Sequence, residues 1–168
     1  AGLGPDPEVL PPILISEIMY HAFGDDERDE YLEIHNRSGR PVDLSGWRFT
    51  EGIAFTFPAG TQIAPGAYLA IAKDAARIQA EYSMTNVLGN FELQLNDGGE
   101  RIRLEDPKGL VINEVRYDNG RGWPRWPDGW GSSLEVTDLH AANEAPSAWA
   151  ASDEGAGSQW TPFQTTAA

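Results

Sequence analysis

Apolar residues recur at every second position in short runs between Ile13 and Thr137, and turn residues break those runs at close intervals. Successive side chains of a strand point to opposite faces, so each run reads as a strand with at least one face in a core. Residues 13–20 (Ile-Leu-Ile-Ser-Glu-Ile-Met-Tyr) form the first, and their mixed apolar pattern suits a strand covered on most of both faces. In residues 31–36, Leu32 and Ile34 alternate with Tyr31, Glu33 and His35, which predicts a half-buried strand. Residues 36–41 gather Asn, Ser, Gly and Pro, the chemistry of a turn, so residues 30–50 read as a hairpin. Within it Val42 and Leu44 share one parity, while Trp47 and Phe49 share the other. One extra residue re-aims every later side chain, so a bulge or corner is expected at Ser45-Gly46, with Trp47 anchoring the core beyond it.

The same reading carries down the chain. Ile53, Phe55 and Phe57 alternate, two turns flank a short edge around Ile63, and residues 68–72 form a strand with Leu69 and Ile71 inward. Residues 74–82 hold the one helical pattern, with Asp74 as its N-cap, and a helix this short survives only by packing on the sheets. Phe91, Leu93 and Leu95 alternate up to Asn96-Asp97-Gly98-Gly99, a hairpin turn needing positive φ, and residues 101–105 answer with Ile102 and Leu104 inward. Residues 110–117 and 133–137 supply further strands. Eight or nine short strands and one short helix predict an all-β sandwich with Leu32, Ile34, Trp47, Phe49, Leu104 and Leu134 in its core. Residues 15–20 also echo residues 112–117, as equivalent strands of two sheets would and as two alternating strands can by chance.

Eighteen Gly and twelve Pro among 168 residues agree with a turn-rich fold of one domain. Twelve basic against twenty-six acidic residues leave a formal charge of −14, which repels phosphate backbones and argues against nucleic acid as a partner. There is no cysteine, so disulfides and thiolate metal sites are excluded. No apolar run reaches the length of a membrane span, and membrane insertion is not expected. Residues 1–12 read as an extended linker or the cut edge of an excised module, residues 13–150 as the domain, and residues 151–168 as a tail packed through Trp160.

Candidate chemistry is sparse. His21, His35 and His140 show no metal-ligand spacing, and Gly131-Ser132-Ser133 lacks the second glycine of a nucleophile elbow. No catalytic residue is assigned. The acid run Asp25, Asp26, Glu27, Asp29 and Glu30 offers the hard oxygen ligands that calcium takes, without EF-hand spacing; its plain alternative is a solvated loop. Glu17 and Glu33 are expected as edge or sheet-face carboxylates paired with Arg101, Arg103 or Arg116. Trp123, Trp126 and Trp130 stand within eight residues, broken by prolines and Gly129. Buried, they would cap the sandwich; exposed, they would form a platform for a sugar or a protein, with Trp126 the best placed to be exposed.

Several of these segments line up in order: Ile-Ser-Glu-Ile-Met-Tyr (15–20), Asp-Glu-Tyr-Leu-Glu-Ile-His-Asn (29–36), Pro-Val-Asp-Leu-Ser-Gly-Trp (41–47), Asn-Asp-Gly-Gly-Glu-Arg-Ile-Arg-Leu (96–104) and Trp-Pro (123–124). The set resembles the lamin-tail domain family in its bacterial form, over about residues 13–149. The resemblance implies an immunoglobulin-like β-sandwich without catalytic machinery. It implies a module appended to a larger bacterial protein, extracellular or at the cell surface, that binds other proteins or other domains of its own polypeptide. Gln159-Trp160-Thr161-Pro162 departs from the Gly-Thr-Pro-Gly of bacterial members. The alternatives are a calcium-dependent adhesion or carbohydrate-binding module and, third, a hydrolase built on an unfamiliar carboxylate pair.

Overall fold

Strand Ile13–Met19 (β1) lies near the middle of the larger of two main sheets, as its doubly apolar pattern requires. The computed structural model describes residues 10–153, and twelve strands and one α-helix are found among them. The larger sheet also holds Tyr31–Asn36 (β2), Tyr68–Ala72 (β7), Val87–Gly89 (β8), Leu134–Val136 (β11) and Trp149–Ala151 (β12), in the order β12-β11-β1-β2-β7-β8. The second sheet runs β10-β9-β4-β5, from Val111–Arg116 (β10), Arg101–Glu105 (β9), Arg48–Glu51 (β4) and Phe55–Thr56 (β5). Val42–Asp43 (β3) and Gln62–Ile63 (β6) form a small separate pair. The strands are antiparallel except for β7 and β8, whose parallel pairing needs a crossover, and the helix Ala75–Tyr82 (α1) provides it.

The main core lies between the two large sheets. Leu32, Ile34, Leu104 and Leu134 are fully buried and Phe49 nearly so, and each such side chain contributes about 1.5–3 kcal/mol. A second, smaller cluster sits where α1 covers the large sheet: Ile78 packs with Met19, Tyr31, Ala70, Ala72 and Val87. Asp74 caps the helix by accepting from the Arg77 amide at 3.1 Å, and Ser83 ends it in the left-handed region.

Three expectations need correction. Residues 30–50 are not a hairpin: β2 pairs with β1 and β7, whereas β3 pairs with β6. The Asn36 side chain directs the chain out of the large sheet, donating to the carbonyls of Arg40 and Ile63 and accepting from Ser38. The parity switch at Ser45-Gly46 is the corner between β3 and β4, with Gly46 at φ +72 and the Trp47 amide bonded back to the Leu44 carbonyl at 2.9 Å. Trp47 therefore sits half-buried on the rim against the core, not inside it. Residues 91–95 do not form a strand. Glu92 makes a single bridge to Ala54, Leu93 is exposed with φ +69, and the Glu30 carboxylate holds the Leu95 amide at 2.9 Å in place of a strand neighbour. At the end of the domain Trp149 is buried and begins β12, and Trp160 of the tail lies outside the described residues.

The two echoing segments lie one in each sheet and meet across the core. Tyr20 packs on Tyr117 with ring centroids 4.8 Å apart, and the Ile15 amide donates to the Asn113 side chain at 2.8 Å.

Candidate functional site

The tryptophan segment follows β10, and a run of left-handed positions shapes it: Arg121, Gly122, Gly129 and Gly131 all have positive φ. Trp123 is turned inward and packs on Trp149 at 5.9 Å between centroids, capping the core. Trp126 and Trp130 are turned outward, 63% and 70% exposed, and meet edge-to-face at 5.9 Å and 81°. The cap expectation thus holds for Trp123 alone; Trp130 joins Trp126 in solvent, while Pro127 between them is buried.

The segment is tied to the loop after β1. The Gly129 amide donates to the His21 carbonyl at 3.1 Å; its φ of +81, and the 3.1 Å at which a Cβ would stand from the His21 ring, favour glycine there. His21 itself lies between two carboxylates, with Nδ1 2.8 Å from Asp128 and Nε2 2.7 Å from Asp25. A neutral imidazole donates from one nitrogen only, so this geometry selects the doubly protonated ring. Partial burial opposes that charge, but the bonds to Asp25 and Asp128 outweigh it and raise the His21 pKa.

The acid run lies beside this latch, and the structure does not gather its members into one set. Asp26 pairs with Arg28 at 2.5 Å, and the hydrogen bonds from Arg28 hold its carboxyl well below the usual range. Asp29 pairs with Arg77, Asp25 bonds His21, and Glu27 points to solvent. Glu30 is buried, and burial pushes its carboxyl up to about 7 despite the Leu95 amide. Among the described residues no group of three or more such side chains is arranged to hold a metal ion. Asp25, Asp26, Glu27 and Glu30 border a cavity of about 30 Å³ together with Tyr20, His21 and Asp97.

A second carboxylate group lies on the outer face of the large sheet. Glu17 stands opposite both Glu33 and Glu135 in the strand register. The expected arginine partners are elsewhere: Arg101 and Arg103 pair with Glu51 and Glu114 in the other sheet. Glu17 instead accepts from the Tyr31 and Ser133 hydroxyls, and Glu33 accepts from Ser16 Oγ at 2.9 Å. Burial first, then the charge of Glu17, pushes the Glu33 carboxyl up to about 7. Its folded pKa lies above its unfolded value of 4.5, so the folded chain holds a proton that the unfolded chain releases between those values. Stability therefore falls as pH rises through that window. Glu33→Gln is expected to raise the melting temperature at pH 8, by about 1–3 kcal/mol of stability, and to change it little at pH 4. Equal shifts at both pH values in thermal melts would refute the assignment.

Sequence reasoning missed the His21 latch because its carboxylates lie 4 and 107 residues away. It also missed an open groove of about 570 Å³ lined by Leu10, Pro12, Arg37, Arg40, Val42 and His140.

A family model described as Lamin Tail Domain matches residues 7–119, more than half of the chain. The chain belongs to the lamin-tail domain family. The immunoglobulin-like sandwich of that family agrees with the two packed sheets and single short helix found here. The tryptophan segment, β11 and β12 lie beyond the residues that the lamin-tail model matches. No curated protein matches the chain.

Proposed function

We propose that this lamin-tail domain is a non-catalytic interaction module, appended to a larger exported bacterial protein. It holds another protein, or another domain of the same polypeptide, through the Trp126–Trp130 corner. One observation carries the reading: two adjacent indoles stand largely in solvent on a loop that Gly129, Asp128 and His21 pin to the body. Large aromatic side chains left exposed on a rigid mount are the anchors of interfaces. Membership in a family of immunoglobulin-like modules, typically non-enzymatic, supports the non-catalytic part. Placement outside the cell, at the bacterial surface, rests on the resemblance to bacterial members alone. Neither nucleic acid nor a membrane is assigned: the charge is −14, and no helix among the described residues is long and apolar enough to cross a membrane.

The test is a photo-crosslinking amino acid at Arg125, whose side chain is exposed beside the indoles, in cells that make the natural protein. An adduct of defined mass is expected, lost when Trp126→Ala and Trp130→Ala are combined. No adduct, or one that ignores both substitutions, removes the reading.

The same indoles leave a second reading, an adhesion or carbohydrate-binding module; its calcium-dependent form would draw on Asp25, Asp26, Glu27, Asp29 and Glu30, which are not arranged as a metal-holding group. Calcium at a hundred times its dissociation constant would then add about 2.7 kcal/mol of stability, and an unchanged melt dismisses the metal. A hydrolase would draw on Glu17 and Glu33, and a blank screen of ester, glycoside and phosphoester substrates removes it.

A further inference from the structure

We infer that the Trp126–Trp130 corner takes an arginine-bearing basic segment of its partner, an assignment that rests on the interaction-module reading and adds the partner's chemistry. Ring geometry comes first. The two indole planes stand at 81°, so one flat sugar ring cannot lie on both faces. A guanidinium stacked on one indole can still turn its N–H edge toward a carboxylate, and such contacts favour a cation by attraction to the ring face.

Charge comes second. Asp128 stands in sequence between the two indoles, and His21 links it to Asp25, whose side chain is 85% exposed. Asp97 and Asp118 act with Asp128 on the buried Tyr20 hydroxyl; burial raises its pKa most, and these three carboxylates raise it further, which marks this end of the sandwich as negative. Asp26 and Glu27 border the same small cavity. These six carboxylates still outnumber the cations nearby: Arg28 and Arg77 both pair with Asp26, the His21 imidazolium lies between Asp25 and Asp128, and Arg121 lies 3.7 Å from Asp118. Arg125 is the remaining one, exposed on the segment itself. An acidic or neutral partner would gain only the apolar contact, whereas a basic one gains both.

Mounting comes third. Pro127 is buried, Asp128 is held by His21 and by Asn119 at 3.3 Å, and Gly129 is bonded to the His21 carbonyl. The corner is therefore set before a partner arrives, and little ordering opposes binding.

The experiment is isothermal titration calorimetry of the full chain with a short peptide of alternating arginine and glycine. Controls are the same peptide with glutamate for arginine, and a soluble cello-oligosaccharide. Saturable binding of the arginine peptide alone is expected, weakened about tenfold in the Trp126→Ala/Trp130→Ala double variant, as the loss of two cation–π contacts implies. Both rings are exposed, so the melting temperature of that variant should stay near that of the parent. Asp25→Asn, which keeps both indoles, should weaken binding by a few-fold and provides the second arm should the double variant fail to fold. Absence of binding, equal binding by both variants and parent, or binding of the oligosaccharide instead would each overturn the assignment. A crosslinked adduct at Arg125 that persists while the arginine peptide fails to bind would remove only the basic partner and leave the interaction module standing.

Discussion

Replacing Asn113 with leucine is expected to destabilise the domain by about 3–5 kcal/mol, the largest effect of any single substitution considered. Asn113 is buried on β10, yet its side chain serves a strand of the other sheet. β11 pairs with β1 only at Glu17 and Ile18, so on that side Ile15 has no strand neighbour. Two asparagine side chains take its place. Asn113 Oδ1 accepts from the Ile15 amide at 2.8 Å, and Asn143 Nδ2 donates to the Ile15 carbonyl at 2.9 Å. The two side chains also bond each other at 2.9 and 3.0 Å, and the Trp149 indole N–H donates to the Asn143 carbonyl at 2.8 Å. Leucine fills similar space but leaves the Ile15 amide and the Asn143 Oδ1 buried without partners, at about 1–3 kcal/mol for each such group. Denaturant unfolding would measure the loss; a change below 1 kcal/mol would show that water or a rearranged loop replaces the network.

Gly99→Ala is expected to cost about 2–4 kcal/mol, whereas Gly98→Ala, one residue away, should cost far less. Gly99 has φ +99, and a Cβ there would stand 2.5 Å from the Tyr117 carbonyl oxygen and 2.6 Å from the Asp118 Cα. Both obstacles are backbone, so neither can swing aside. Gly98 meets only the Asn96 side chain, at 3.2 Å. The turn is held by the Gly99 amide on the Asn96 carbonyl at 2.9 Å and by the Tyr117 hydroxyl on that same oxygen at 2.8 Å. Parallel urea titrations of the two variants would decide it, and equal losses would mean that the contact with Tyr117 and Asp118 does not constrain the turn.

What could be read from the residues and what could not divides along a physical line. Leu32, Ile34, Leu104 and Leu134 are buried where the period-two pattern puts them, because strand periodicity is a property of the backbone alone. The helix was legible from Asp74 and its neighbours, since capping is also local. Trp47 shows where locality ends: the parity switch marks a corner, but only the second sheet decides whether the indole lies inside or on the rim. Phe91, Leu93 and Leu95 alternate like a strand, and the pattern misled because Glu30, 65 residues away, fills the place a neighbouring strand would take at Leu95. The role of Asn113 is not encoded in its strand pattern, since its partners at Ile15 and Asn143 are distant in sequence. For the candidate site, clustering of tryptophans was visible, and so was Trp126 as the one best placed to be exposed. Which indoles faced solvent depended on Trp149 and on the His21 latch, neither of which the spacing encodes.

The order of strands at one edge of the large sheet has a mechanical consequence. β11 is antiparallel to both β1 and β12, so β1 and β12 run the same way, and Ala151 lies level with Ile18 through Leu134. The polypeptide comes in at Ile13 and goes out about 17 Å further along the strand direction, given roughly 3.4 Å per residue. Tension applied through the two ends therefore loads the β1–β11–β12 ladder in shear, stretching its bonds together instead of unzipping them one at a time.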